Sequence, residues 1–182
     1  MRELQGLKIS LCQMPVIPGR PDINAEYIIK EIASAAKRGM DIIVFPELCT
    51  SGYLIADKFE DAYFINDVGY FNRKIIEAVL DNLVVIFGSV VVPKGNGFDE
   101  LTIKGEDGRQ RMHNAAIIAQ GGKQLGYVVK TLQPHYRYFD DDKHLFSARK
   151  IAEEQAELYR KTGGKDGFDK LTTRGIENCS VH

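Results

Sequence analysis

One stretch of this 182-residue chain joins a reactive side chain to an element able to bury it: Asp41 to Tyr53, DIIVFPELCTSGY. Ile42 to Phe45 is a continuous apolar run with β-branched residues, the pattern of a strand buried on both faces. Pro46 lacks an amide hydrogen and ends the ladder. Glu47 is then delivered at the end of a buried strand, where water is scarce. An ionised carboxylate there must be paired, or its pKa must rise. That is the setting of a general base. The bland alternative is a strand-end carboxylate turned to solvent or capping a loop.

A second stretch, Val128 to Asp141, reads VVKTLQPHYRYFDD. Lys130 follows an apolar strand pattern, so its ammonium is also expected at a strand end near the interior. Beside a carboxylate it stays charged and can stabilise a developing oxyanion. Pro134 stiffens the loop. Tyr136, Tyr138 and Phe139 offer aromatic walls of the kind that line small-molecule pockets. Taken alone, this stretch reads as a surface lysine followed by an aromatic loop packed on the core.

Composition narrows the classes. Lys plus Arg number 24 and Asp plus Glu 25, a balance that argues against nucleic acid or an anionic membrane as the main partner. No apolar run reaches the length of a membrane span, and MRELQGLKIS has no hydrophobic signal core. The cysteines Cys12, Cys49 and Cys179 are widely spaced, odd in number and form no CxxC pair. Neither a zinc site nor a disulfide framework is expected, and the simplest location is cytoplasmic, with free thiols. His113, His135, His144 and His182 show no ligand spacing, so no metal is called for.

The elements that must position Glu47 and Lys130 follow from periodicity. Leu7 to Gln13 alternates as a strand. Asp22 to Arg38 is helical through Ile28, Ile32, Ala35 and Ala36, with Asp22 near its start and Gly39 in the left-handed position after it. Asn66 to Leu80 is helical through Phe71, Ile75, Ile76, Val79 and Leu80. Leu83 to Val92, Met112 to Ala119 and Gln124 to Val129 read as strands, the last two joined by a Gly121-Gly122 turn. Pro93 to Gln110 reads as a solvated excursion. Ser147 to Lys161 reads as a helix capped by Ser147. Strand, helix, strand order gives an α/β layered domain. Strands this apolar need cover on both faces; the helices supply one, and a second sheet or a partner chain must supply the other.

Together these stretches resemble the nitrilase, or carbon–nitrogen hydrolase, superfamily. Phe45-Pro46-Glu47-Leu48 followed by Ser51-Gly52-Tyr53 matches its pattern around the general base, with Asp57 a few residues on. His113-Asn114-Ala115-Ala116 and Gly122-Lys123 match its approach to the catalytic lysine, and Lys130 falls where that lysine belongs. The run Lys130, Pro134, Tyr136, Phe139, Asp140 is similar to the glutaminase domain of glutamine-dependent NAD synthetases.

The resemblance implies an α-β-β-α sandwich, incomplete at the C-terminus. It implies Glu47 as general base, Lys130 as the oxyanion-stabilising group and Tyr136 as a glutamine-site residue. The substrate is then glutamine or another small amide. The amidase reaction needs no cofactor, and ATP belongs to an absent synthetase domain. The partners implied are a homo-oligomer or that synthetase domain in a full-length protein. The family nucleophile is a cysteine at the end of an apolar strand and before an acidic residue. Cys179 follows Arg174-Gly175-Ile176-Glu177-Asn178 and precedes Ser180, so it departs from that pattern and the nucleophile stays unassigned. The expected organisation is residues 1–161 as the N-terminal part of a hydrolase domain and 162–182 as a polar, Gly-rich tail. Alone, such a chain is expected to be inactive. The alternatives are a stand-alone amidase or nitrilase of the same superfamily, and a non-catalytic α/β module.

Overall fold

A computed structural model describes residues 6–93, 110–134 and 141–162. Its five strands form one sheet: β1 (Ile9–Leu11), β2 (Ile42–Val44), β3 (Val84–Val91), β4 (His113–Gln120) and β5 (Lys123–Val129), in the order β1-β2-β3-β4-β5. β1, β2 and β3 run parallel. β3, β4 and β5 are antiparallel. Parallel neighbours need a helix to return the chain across the sheet. Helices α1 (Pro21–Lys37) and α2 (Ala62–Glu77) supply the two returns.

α1 opens on Pro21, whose missing amide hydrogen costs nothing at a first position. Asp22 lies in the first turn, where its charge suits the positive helix end, and its carboxylate meets Arg20 at 2.6 Å. Gly39 adopts φ +65° just past the helix, the left-handed conformation that favours glycine. α2 starts four residues before and ends three residues before the expected Asn66–Leu80; the Asp61 side chain accepts a hydrogen bond from the Tyr63 amide at 2.9 Å and caps the helix there. Asn72 on α2 stitches the helix to β3: its Nδ2 donates to the Val90 carbonyl, and the Ser89 hydroxyl donates to its Oδ1.

The main core lies between these helices and one face of the sheet. Ile28, Ile32, Ile75 and Val79 meet Ile43, Val85, Phe87 and Ile117 there. Each such side chain contributes about 1.5–3 kcal/mol when fully buried. Two shorter helices follow β5, α3 (Asp141–His144) and α4 (Ala148–Thr162), and the Ser147 hydroxyl accepts from the Lys150 amide at the start of α4. The Gly-rich excursion and the polar tail expected from sequence fall in 94–109 and 163–182, outside the described residues.

One expectation is corrected. The Ile42–Phe45 run is not buried on both faces. Ile43 and Phe45 are buried, while Ile42 and Val44 are only half-buried. Cross-strand pairing sets Ile9, Ile42 and Val84 in one row and Leu11, Val44, Ile86 and Ile118 in the next, so they share a face. Among the described residues the helices cover the opposite face, and Leu11 stays 79 % exposed. The sequence records that both faces are apolar, and the described elements cover one.

Candidate active site

Glu47 stands on a sharp elbow that follows β2. Leu48, fully buried, takes φ +46°, a left-handed conformation that a branched residue holds only when its surroundings enforce it. The enforcement is visible on both sides. Beneath the elbow, Gly88 of β3 donates its amide to the Pro46 carbonyl. Behind it, buried Asn24 of α1 donates to the carbonyls of Ile17 and Thr50 and accepts from the Ile17 amide. Gly52 closes the turn at φ +83°, with its amide bonded to the Leu48 carbonyl at 2.7 Å.

Lys130 comes from the edge strand β5, which runs the same way as β2, so Glu47 and Lys130 leave the same end of the sheet. β4 and β5 meet at Gly121-Gly122, and Gln120 pairs with Lys123 and Ala119 with Gln124. Ile118 then pairs with Gly126, so Leu125 is passed over as a bulge. The shift brings Ala115 opposite Val129, and the Lys130 amide donates to the Asn114 carbonyl at 2.8 Å. Counted outward from the turn without the bulge, Lys130 would face His113 instead. The Ala148 amide donates to the Lys130 carbonyl at 3.0 Å, so both backbone polar groups of Lys130 are tied.

The two stretches meet at one oxygen. Glu47 Oε1 accepts from Lys130 Nζ at 2.5 Å and from Asn114 Nδ2 at 2.5 Å. The Tyr53 side chain gives the carboxylate a further hydrogen bond. Burial pushes the Glu47 carboxyl up, but the bonds from Lys130, Tyr53 and Asn114, with the Lys130 charge, together hold it below the ordinary Glu value. The carboxylate is therefore ionised at neutral pH and set to receive a proton. The pair is not dry: the Lys130 and Glu47 side chains are 30 % and 41 % exposed. A cleft of about 390 Å³ opens beside it, lined in part by Gln13, Met14, Val16, Pro46, Glu47 and Tyr53.

Neither described thiol belongs to this cluster. Cys49, two residues past Glu47, is fully buried in the helix-side core, with its Sγ 3.3 Å from the Gly88 carbonyl oxygen. Burial pushes its pKa up to about 12. Cys12 packs against the same core, and burial also raises its pKa. Tyr136 and Cys179 lie outside the described residues. Among the described residues no group of three or more His, Cys, Asp and Glu side chains is arranged to hold a metal ion, and no helix is long and apolar enough to cross a membrane. Sequence reasoning missed the parts that Asn114 and Tyr53 play around Glu47. Asn114 stood in the motif that precedes the lysine, but its place opposite Lys130 depends on the bulge.

An elbow carboxylate, paired with a lysine that leaves an antiparallel strand, on an α/β sheet flanked by helices, defines a class. The chain belongs to the carbon–nitrogen hydrolase family, whose profile matches residues 8–164. Among curated proteins it is 26 % identical over 142 residues to a glutamine-dependent NAD(+) synthetase of Synechocystis, covering 78 % of this chain and 24 % of that protein. The synthetase of Thermotoga maritima is 26 % identical over 141 residues, with 78 % and 22 % covered. The chain thus spans about a quarter of the length of these relatives. Among solved structures, a glutamine-dependent NAD+ synthetase from Acinetobacter baumannii shares the fold at a TM-score of 0.63 and 21 % identity, over 84 % of this chain and 30 % of that one. An amidase from Nesterenkonia sp. shares it at 0.54 and 19 %, over 77 % and 47 %. The fold is therefore of the nitrilase type.

Proposed function

We propose that this chain carries the base and lysine of a thiol amidohydrolase, and that it is the ammonia-supplying glutaminase portion of a glutamine-dependent NAD synthetase. The observation that carries the reading is the contact of Lys130 Nζ with Glu47 Oε1 at 2.5 Å. In the reaction, Glu47 takes the proton of a cysteine thiol, and the sulfur bonds to the amide carbon. Lys130 stabilises the oxyanion of the tetrahedral intermediate. The C–N bond breaks, the proton leaves with the nitrogen as ammonia, and water then cleaves the thioester to the acid. A free thiol has a pKa of about 8.5, so a positioned base is needed at neutral pH.

The nucleophile is not Cys12 or Cys49, which pack into the core. Tyr136 serves the glutamine site in this reading. The amidase step calls for no metal or organic cofactor, because base and cation are both side chains of the protein. ATP is used by a synthetase domain of the full-length protein, which is cytoplasmic and either associates with copies of itself or passes ammonia within one chain.

The test is ammonia release from glutamine. The purified 182-residue chain is expected to release none. In the full-length protein, Glu47→Gln and Lys130→Met each lower the rate about 10²- to 10⁴-fold with the fold retained. Full activity in either variant overturns the assignment, and activity on other amides but not on glutamine marks a stand-alone amidase.

A further inference from the structure

Oxygen Oε1 of Glu47 has two donors of different character. Lys130 Nζ sits at the end of a four-carbon stem with several freely rotating torsions. Asn114 Nδ2 sits on a two-torsion side chain inside β4, is buried to 2 % exposure, and reaches the same oxygen at the same 2.5 Å. A carboxylate has about four lone-pair directions. Lys130 and Asn114 engage two of them, both on Oε1.

We propose that Asn114 is the positioning residue of this site: its short, uncharged side chain fixes the rotation of the Glu47 carboxylate, so that the mobile lysine meets a stationary partner. The inference rests on reading Glu47 as the base. Asn114 is suited to the task because its strand position is set twice over. Its carbonyl takes the Lys130 amide, and its neighbour Ala115 pairs with both Ser89 and Val129. Its amide has no proton to gain or lose over the working pH range, so the alignment of Glu47 does not vary as other groups titrate. A donor to the charged form also favours that form, in keeping with the depressed Glu47 value.

The experiment is an NMR titration of the 182-residue chain itself, following the Glu47 carboxyl carbon, assigned with Glu47→Gln, together with the side-chain amide of Asn114. In the unaltered chain the Asn114 amide protons are expected downfield, moving with pH at the Glu47 midpoint. In Asn114→Ala the Glu47 midpoint rises by about one pH unit. In Asn114→Asp, which sets a second carboxyl against the first, the two titrate as a pair whose upper midpoint lies higher still. An Asn114 amide that ignores the Glu47 transition overturns the proposal, and so does a folded Asn114→Ala chain with an unmoved midpoint. Should the variants fail to fold, the amide titration of the unaltered chain decides. Neither readout needs turnover, so a failure here is distinct from a failure of the glutaminase reading.

Discussion

Gly88 lies directly beneath Glu47: a methyl group added at Gly88 would stand 2.5 Å from the Glu47 Cα and 2.6 Å from the Leu48 nitrogen. All the nearest atoms are backbone, so nothing there can swing aside. Gly88→Ala must lift the elbow off β3. The expected cost is about 1–3 kcal/mol, read as a lower urea midpoint, together with a Glu47 titration that drifts back toward the ordinary Glu value. An unchanged midpoint for both would mean that the elbow is free to move.

His113 and Glu47 lose stability toward acid in separate pH windows. His113 is buried, with Nδ1 2.8 Å from the Phe146 carbonyl oxygen. Burial lowers its pKa, the Phe146 bond raises it, and nearby Arg111 lowers it again, for a net decrease. The unfolded chain then binds the proton more readily, so stability is full above about 6.5 and falls as pH drops through that value. Glu47 acts lower down. Its depressed pKa adds stability that is present above about 4.5 and lost as pH falls toward the native value. Urea unfolding across pH should therefore show two declines; the second, to which Asp22 and Glu157 also contribute, is smaller in Glu47→Gln.

Cys49 should resist thiol reagents. With its pKa near 12 against an ordinary 9.0, it carries about a thousandfold less thiolate than a free cysteine at the same pH. Its side chain is also out of contact with water. Mass spectrometry after mild alkylation should find Cys49 unmodified in the native chain and modified in urea. Rapid native labelling would place this thiol at the surface, against the structure.

Arg111 holds α4 to the sheet. Its side chain is 1 % exposed, its guanidinium lies 4.5 Å from the Phe146 ring centroid, and it meets Glu154 of α4 at 2.5 Å. Glu154→Ala leaves a buried cation without its carboxylate. The expected loss is about 2–3 kcal/mol, below that of a fully buried pair because Glu154 is partly exposed. Hydrogen exchange should rise first along Ala148–Thr162; protection unaltered there would show that α4 is held by something else.

The parts of this fold that were legible in the sequence are those governed by local periodicity. Ile28, Ile32 and Ala35 marked the buried stripe of α1, and Gly121-Gly122 marked the β4–β5 turn. Phe45-Pro46-Glu47 marked the strand end that carries the carboxylate. What stayed hidden depends on partners distant in sequence. The early start of α2 rests on the Asp61 cap and on Phe64 and Val68, whose stripe is broken by the buried polar Asn72. The bulge at Leu125 moves Lys130 opposite Asn114, and a single passed-over residue leaves no trace in composition. The partial exposure of Ile42 depends on what lies across the sheet, which a hydrophobic run does not specify.

Among the described residues one side of the sheet is left uncovered, with Ile9 and Leu11 exposed and Ile42 and Val44 half-buried before anything unfolds. Denaturation of these strands then uncovers less new hydrocarbon than that of a sheet covered on both faces. The heat-capacity step should fall short of the usual 12–15 cal/mol/K per residue, roughly, and the slope of stability against denaturant should be shallow to match.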